Sequence, residues 1–114
     1  MIEIKTDDYR VWYDAENSTV FCGGYLRLNG SEEYQPIMEL LISAINDQPT
    51  ITVNLRELEF LNSSGISMLS MFVIKVRQNG NIQLIFEGSD KILWQTKSLK
   101  NLQRLMPSIK LDFA

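Results

Sequence analysis

Apolar and polar positions alternate from the start of the chain. Ile2 and Ile4 alternate with Glu3 and Lys5, which predicts a short edge strand over 2–5. Thr6-Asp7-Asp8 is a turn signal, and Arg10–Asp14 (Arg-Val-Trp-Tyr-Asp) has strand composition. Ala15–Ser18 reads as a hairpin turn into a second strand, Thr19–Leu28. That strand contains Gly23-Gly24, and paired glycines inside a strand point to a bulge or a close backbone approach.

The period then changes to that of a helix. Ser31 followed by Glu32 and Glu33 has the form of an N-cap with acids in the first turn. Pro36 lacks an N–H and disfavours helical backbone at Gln35, so a first turn is expected near Ser31 and the regular helix from Pro36. Ile37, Leu40, Leu41, Ala44 and Ile45 keep helical spacing, and Asn46–Pro49 ends the helix. Thr50–Leu55 has too little polar alternation for an exposed sheet face and suits a buried parallel strand. A turn over 56–62 leads to a helix over 64–79, closed by Asn79-Gly80.

Asn81–Glu87 reads as the next strand. Ser89-Asp90 predicts a short helix to Trp94, and Ser98 caps a second with Leu99, Leu102, Leu105 and Met106 on its apolar side. Pro107 stops it, and Ile109, Leu111 and Phe113 alternate with Lys110 and Asp112 as a final strand. Strand–helix alternation from residue 51 onward implies right-handed crossovers and a partly parallel sheet.

At 114 residues the chain is expected to form one domain over 1–114 with a single core. Apolar residues make up 45% and charged residues 22%, which excludes a disordered or low-complexity class. A net charge of −3 argues against nucleic acid as the main partner. The charge is uneven: residues 91–110 hold five bases and no acid. A solvated helix face or an anion site would each account for that run. The first residues lack a long apolar core, and no apolar run approaches the ~20 residues that span a bilayer, so a cytoplasmic protein without membrane insertion is expected. Cys22 is the one cysteine, which excludes an intrachain disulfide and reads as a small core residue.

The most informative absence is histidine, of which there is none. Ser-His-Asp and Cys-His catalysis are thereby removed, together with His-containing zinc sites, and one cysteine cannot build a four-cysteine site. Neither a GxGxxG nor a Walker A sequence is present. No catalytic residue, metal or cofactor is assigned.

Projection of residues 63–79 at roughly 100° per residue separates two sides. Ile66, Leu69, Phe72, Val73 and Val76 are assigned to the core. Ser64, Ser67, Met68, Ser70, Met71, Ile74, Lys75, Arg77 and Gln78 fall on the other side. Apolar groups among small hydroxyls there form either a partner surface or a surface covered by a neighbouring helix. Phe60–Ile66, before and into this helix, is hydroxyl-rich and sits where backbone N–H groups are free. Capping, anion binding and phosphorylation all use such a place.

Asn54–Ile66 (Asn-Leu-Arg-Glu-Leu-Glu-Phe-Leu-Asn-Ser-Ser-Gly-Ile) resembles the signature of STAS domains, a family that includes bacterial anti-sigma factor antagonists and the cytoplasmic parts of sulfate transporters. The element order agrees with that family along nearly the whole chain. The resemblance implies an α/β fold: a single-domain, STAS-like mixed sheet of about four to six strands, with helices packed mainly on one face. It also implies a non-enzymatic switch in transcription regulation. In antagonists the second serine of the motif is phosphorylated by an anti-sigma factor that is a serine kinase, and is restored by a metal-dependent Ser/Thr phosphatase.

That serine is Ser64 here, with Ser63 the alternative, and Asn62, Ser63, Ser64 and Gly65 form the switch loop. Ser67, Met68, Met71, Ile74 and Lys75 are expected to contact the partner. A phosphate adds about −1.5 to −2 charges and is compatible with a helix N-terminus. Two positions depart from the family pattern: Asn62 replaces the motif's Asp, and Asn54 replaces the Asp that ends the preceding strand. Asn62 can cap the helix but offers no negative charge and no base. The alternative is a binding module without phosphorylation, acting as a scaffold or sensing a small anionic ligand with Lys97 or Lys100 nearby.

Overall fold

The computed structural model describes residues 3–114. Its elements in chain order are β1 (Glu3–Lys5), β2 (Tyr9–Asp14), β3 (Thr19–Leu26), α1 (Gly30–Ile45), β4 (Thr50–Leu61), α2 (Ser63–Asn79), β5 (Gln83–Gly88), α3 (Leu93–Leu105) and β6 (Lys110–Phe113). Ile2, the first residue of the expected edge strand, lies outside the described residues.

All six strands join one sheet, and their order across it is their order in the chain. β1, β2 and β3 run antiparallel, and β3 to β6 run parallel. A parallel neighbour needs a crossover, and α1, α2 and α3 supply the three. Successive crossovers in one direction with one hand place the helices on one face. The burial pattern agrees: Val11, Tyr13, Val20, Cys22, Ile51, Val53, Leu84 and Phe86 are buried, whereas Trp12, Phe21, Thr52, Asn54, Ile85 and Glu87 between them are half-buried. On the uncovered face Trp12 stacks on its cross-strand partner Phe21 at 4.5 Å, and the Arg10 guanidinium lies over the Trp12 ring. The expected mixed sheet with helices on one face is the architecture found.

Several boundaries differ from the pattern-based expectation, for identifiable reasons. β4 does not end at Leu55 in a turn; it runs on to Leu61. Register with β3 passes from Phe21–Asn54 to Gly23–Glu57, then from Gly24–Leu58 to Tyr25–Phe60, so β4 accommodates an extra residue twice. Its buried positions then fall at Leu55, Leu58 and Leu61, a spacing of three that hides a strand from a two-residue period. Gly23-Gly24 does lie at these irregularities. A side chain at Gly24 would strike the Asp8 carbonyl, and its φ of +92° suits only glycine well.

α1 is one continuous helix through Pro36, not a turn followed by a helix. Proline removes a single bond, to the Glu32 carbonyl in the exposed first turn, where water can replace it. The cap is Asn29 and not Ser31; the Glu33 carboxylate reaches back to accept from the Asn29 N–H at 3.0 Å. α3 is likewise one helix, with Ser98 in its interior and not at a cap. Gly80 ends α2 in the left-handed conformation, as its position predicts.

Gln95 explains how α3 is seated. It is fully buried, with 0% of its surface exposed. Its Nε2 donates to the Leu55 and Leu58 carbonyls at 2.6 and 3.0 Å, and its Oε1 accepts from the Ser89 N–H at 2.8 Å. The Trp94 indole N–H also donates to the Leu58 carbonyl, at 3.2 Å. Side chains of α3 thus satisfy carbonyls at the irregular part of β4, where an unpaired buried group would cost about 1–3 kcal/mol.

Candidate functional site

The switch-loop residues sit where α1 and α2 meet. Asn62 caps α2 with extended backbone, and its Oδ1 accepts from the Gly65 N–H at 2.9 Å. The same oxygen accepts from the Tyr34 hydroxyl of α1 at 2.7 Å, while Nδ2 donates to the Leu28 carbonyl at 2.7 Å. One amide therefore ties three segments: the start of α2, the second turn of α1 and the loop after β3. Burial raises the pKa of Tyr34, so its hydroxyl remains a donor. Gly65 packs under this knot: a Cβ there would lie 2.7 Å from Leu61 Cγ and 2.8 Å from the Tyr34 hydroxyl oxygen.

These bonds account for both departures from the family pattern. An aspartate at 62 could keep the two bonds to Oδ1 but could not donate to Leu28 when ionised. At the other position, Asn54 Nδ2 donates to Glu87 at 3.0 Å and Oδ1 accepts from the Arg56 N–H at 3.0 Å. An aspartate at 54 would set a second carboxylate against Glu87. Arg56 lies 3.9 Å from Glu87 and 3.5 Å from Asp112, and so links β4, β5 and β6 on the uncovered face.

Ser63 is exposed and Ser64 is half-exposed. Ser64 Oγ accepts from the Gly30 N–H at 3.4 Å, which places the hydroxyl beside the first residue of α1 as well as in the first turn of α2. Next to it a cleft of about 180 Å³ opens between the two helices. Ser31, Tyr34, Gln35 and Met38 line one side, and Ser64, Ser67, Met68 and Met71 line the other.

The expected contact residues separate on this surface. Ser67 and Lys75 are exposed, Met71 is 51% exposed and Ile74 is half-buried. Met68 is corrected: it is 7% exposed and lies against α1, in the wall of the cleft and not on an open face. The buried arc of α2 takes in Gly65 and Met68 and leaves Ile66 half-buried, because α1 covers the flank that a single-helix projection treats as free. Tyr34, Met38 and Gln35 were not anticipated. Tyr34 carried a signal, since a tyrosine in the apolar stripe of a helix needs a partner for its hydroxyl.

Among the described residues, no cation lines the cleft; Lys97 and Lys100 are exposed on α3. Among the described residues, no cluster of three metal-ligating side chains forms, and no helix is long and apolar enough to cross a membrane. Cys22 is buried, and burial pushes its thiol up to about 12, away from the thiolate that reacts.

Together, the sheet, its helices and the capped motif at the start of α2 define a STAS-like fold, as the motif implied. A chain in the crystal structure of the diguanylate cyclase SiaD in complex with its activator SiaC, from Pseudomonas aeruginosa, superposes with a TM-score of 0.72 at 13% identity, over 99% of this chain and 98% of that one. SiaC of Pseudomonas aeruginosa gives 0.66 at 14%, over 100% and 97% of the two chains. Apo-SiaC from the same organism gives 0.69 at 10%, over 99% and 98%. At such identities the likeness is one of fold. No protein-family model and no curated protein sequence matches the chain.

Proposed function

We propose that this protein is a non-enzymatic regulatory module that controls a signalling partner by binding it through the α1–α2 surface, with Ser64 as the phosphoacceptor. The observation that carries this reading is the position of Ser64. Its hydroxyl stands on the rim of an apolar cleft, in the first turn of α2, with Met71 exposed beside it. A partner seated on Met71 and the cleft would meet the Ser64 side chain. A phosphate there would be accommodated by its own helix and would repel or obstruct the partner.

The fold of SiaC, which activates a diguanylate cyclase, supports a partner that is itself a signalling enzyme. The motif's resemblance adds a serine kinase that doubles as an anti-sigma factor, and an opposing Ser/Thr phosphatase. Asn62, whose amide holds α2 to α1, keeps Ser64 in the first turn of α2 without the acid that the motif carries at this position.

Intact-mass measurement after incubation with ATP and an extract of the source cell tests the assignment. One phosphate on the wild-type chain and none on Ser64→Ala is the expected result. A phosphate that persists in Ser64→Ala moves the site to another residue, with Ser63 the first to examine. Absence of phosphate in every condition leaves a module that acts by binding alone.

A further inference from the structure

The run of bases over 91–110 forms a line on the surface. α3 carries Lys97, Lys100 and Arg104 and no acid. At about 100° per residue these three fall together on the side opposite the buried Gln95, Leu99 and Leu102. Leu93, the first residue of the helix, falls on the same line. All four are exposed. Leu93 is 95% exposed, whereas Tyr25, Phe60 and Met71 are each about half covered. α2, packed beside α3, adds Lys75 and Arg77 and no acid. The acids of the two strands under α3, Glu87 and Asp112, lie on the uncovered face with Arg56, and Asp90 sits in the turn before the helix. Among the described residues the ion pairs are Arg10–Glu3, Arg56–Glu87 and Arg56–Asp112, so the bases of α2 and α3 form none.

We propose that this ridge holds the protein to an anionic lipid surface, as a peripheral contact in which no helix crosses the bilayer. α3 packs on α2, β5 and β6 and is the outermost helix of the layer, so its crest is convex. From Leu93 to Arg104 the crest runs about 16 Å and can meet a flat surface along its whole length. Lysine and arginine stems reach along such a surface with their charged ends at the phosphates. Leu93, at the end of the line, passes below the phosphates into the acyl boundary. A nucleic acid or an acidic polypeptide chain would pair with the cations and leave Leu93 in water.

The distribution of charge also sets the orientation. α1, at the other side of the helical layer, carries Glu32, Glu33 and Glu39 and no base, so an anionic surface repels that edge. The chain therefore lies with α3 on the lipid and α1 turned away, which leaves the cleft between α1 and α2 open to a partner from solution. Each cation near such a surface raises affinity roughly fivefold, and the field decays within a Debye length of about 8 Å at physiological salt. One leucine and a few cations give reversible, salt-sensitive attachment and no permanent anchor.

Cosedimentation of the full chain with phosphatidylcholine vesicles, with and without phosphatidylserine, tests the ridge. At low salt the chain should pellet with the vesicles that contain phosphatidylserine, stay in solution with the others, and be released at high salt. Lys97→Gln/Lys100→Gln/Arg104→Gln should weaken the partition by about a hundredfold, and Leu93→Ser by about tenfold. Both variants change only exposed side chains, so their thermal unfolding should match that of the wild type. Glu32→Gln/Glu39→Gln should bind at least as tightly as the wild type, and the emission of Leu93→Trp should shift to the blue on vesicles with phosphatidylserine. Equal association with both kinds of vesicle, or wild-type partition of the triple variant, overturns the proposal. So does association that Leu93→Ser leaves unchanged and that a duplex oligonucleotide, poly-glutamate or inorganic phosphate displaces more readily than sodium chloride at equal ionic strength, because the ridge then belongs to a soluble anion.

Discussion

The Tyr34 hydroxyl donates to Asn62 Oδ1 at 2.7 Å, and this one bond couples the second turn of α1 to the N-cap of α2. Tyr34→Phe keeps the ring and removes the donor, and should lower stability by about 0.5–1.5 kcal/mol. Asn62→Ala also strands the Leu28 carbonyl and the Gly65 N–H, and should cost about 1–3 kcal/mol. Because the two residues share a bond, the double variant should lose less than the sum. Urea unfolding of all four proteins as a double-mutant cycle measures the coupling; strict additivity would refute it.

Gly65 is required for space. Gly65→Ala forces a Cβ onto Leu61 and the Tyr34 hydroxyl and should destabilise by about 1–3 kcal/mol, although alanine is ordinarily the better helix former. Thermal unfolding would show the loss, and Gly65→Ala combined with Tyr34→Phe should recover little of it, because Leu61 is the nearer obstacle.

Gln95→Leu fits the site by volume and fails by hydrogen bonding. The Leu55 carbonyl and the Ser89 N–H lose their side-chain partner, while Trp94 still reaches the Leu58 carbonyl. A loss of about 3 kcal/mol is expected from chemical denaturation, larger than for Ser98→Ala in the same helix. Equal losses in the two variants would contradict the role given to Gln95.

Alkaline pH should lower the stability of the protein over two overlapping ranges. Burial raises the Cys22 thiol from 9.0 to about 12. Burial, together with the bond to Asp47, raises the Tyr13 hydroxyl from 10.0 to about 12. In both cases the folded state holds its proton where the unfolded chain has released it. Their contributions are complete below the unfolded pKa values and are lost as pH climbs toward 12. Cys22→Ala should flatten the decline that begins near pH 9, and Tyr13→Phe the part that begins near pH 10. Unfolding free energies measured across that range provide the check.

Ser64→Glu separates folding from binding. A carboxylate in the first turn of α2 interacts favourably with the helix dipole, so thermal stability should be unchanged or raised by about 0.3–1 kcal/mol. Capture of a partner through the cleft should fall. Loss of the fold instead would show that Ser64 is needed where it is as a neutral hydroxyl.

Local periodicity and end signals made much of the fold legible in the sequence. Asn62, Gly65 and Gly80 mark both ends of α2, and the apolar stripe of α1 is plain from Ile37 to Ile45. What stayed hidden depends on partners distant in the chain. β4 beyond Leu55 has no two-residue period because its pairing with β3 slips twice. Gln95 looks like a surface residue until the Leu55 and Leu58 carbonyls are set against it. Met68 looks open until α1 is packed beside α2. Asn62 is readable as a cap, but not as the anchor for Tyr34 and Leu28, 28 and 34 positions away.

The strand order also bears on how the chain reaches this state. Every strand after β1 pairs with the strand made just before it, so each of them emerges to a partner already synthesised. Each parallel pairing closes a loop only as long as one helix and its connections, which keeps the entropic cost of every step small. A ribosome delivering this protein from its N-terminus could extend the sheet one strand at a time, each helix covering the newest hydrophobic surface before the next strand emerges.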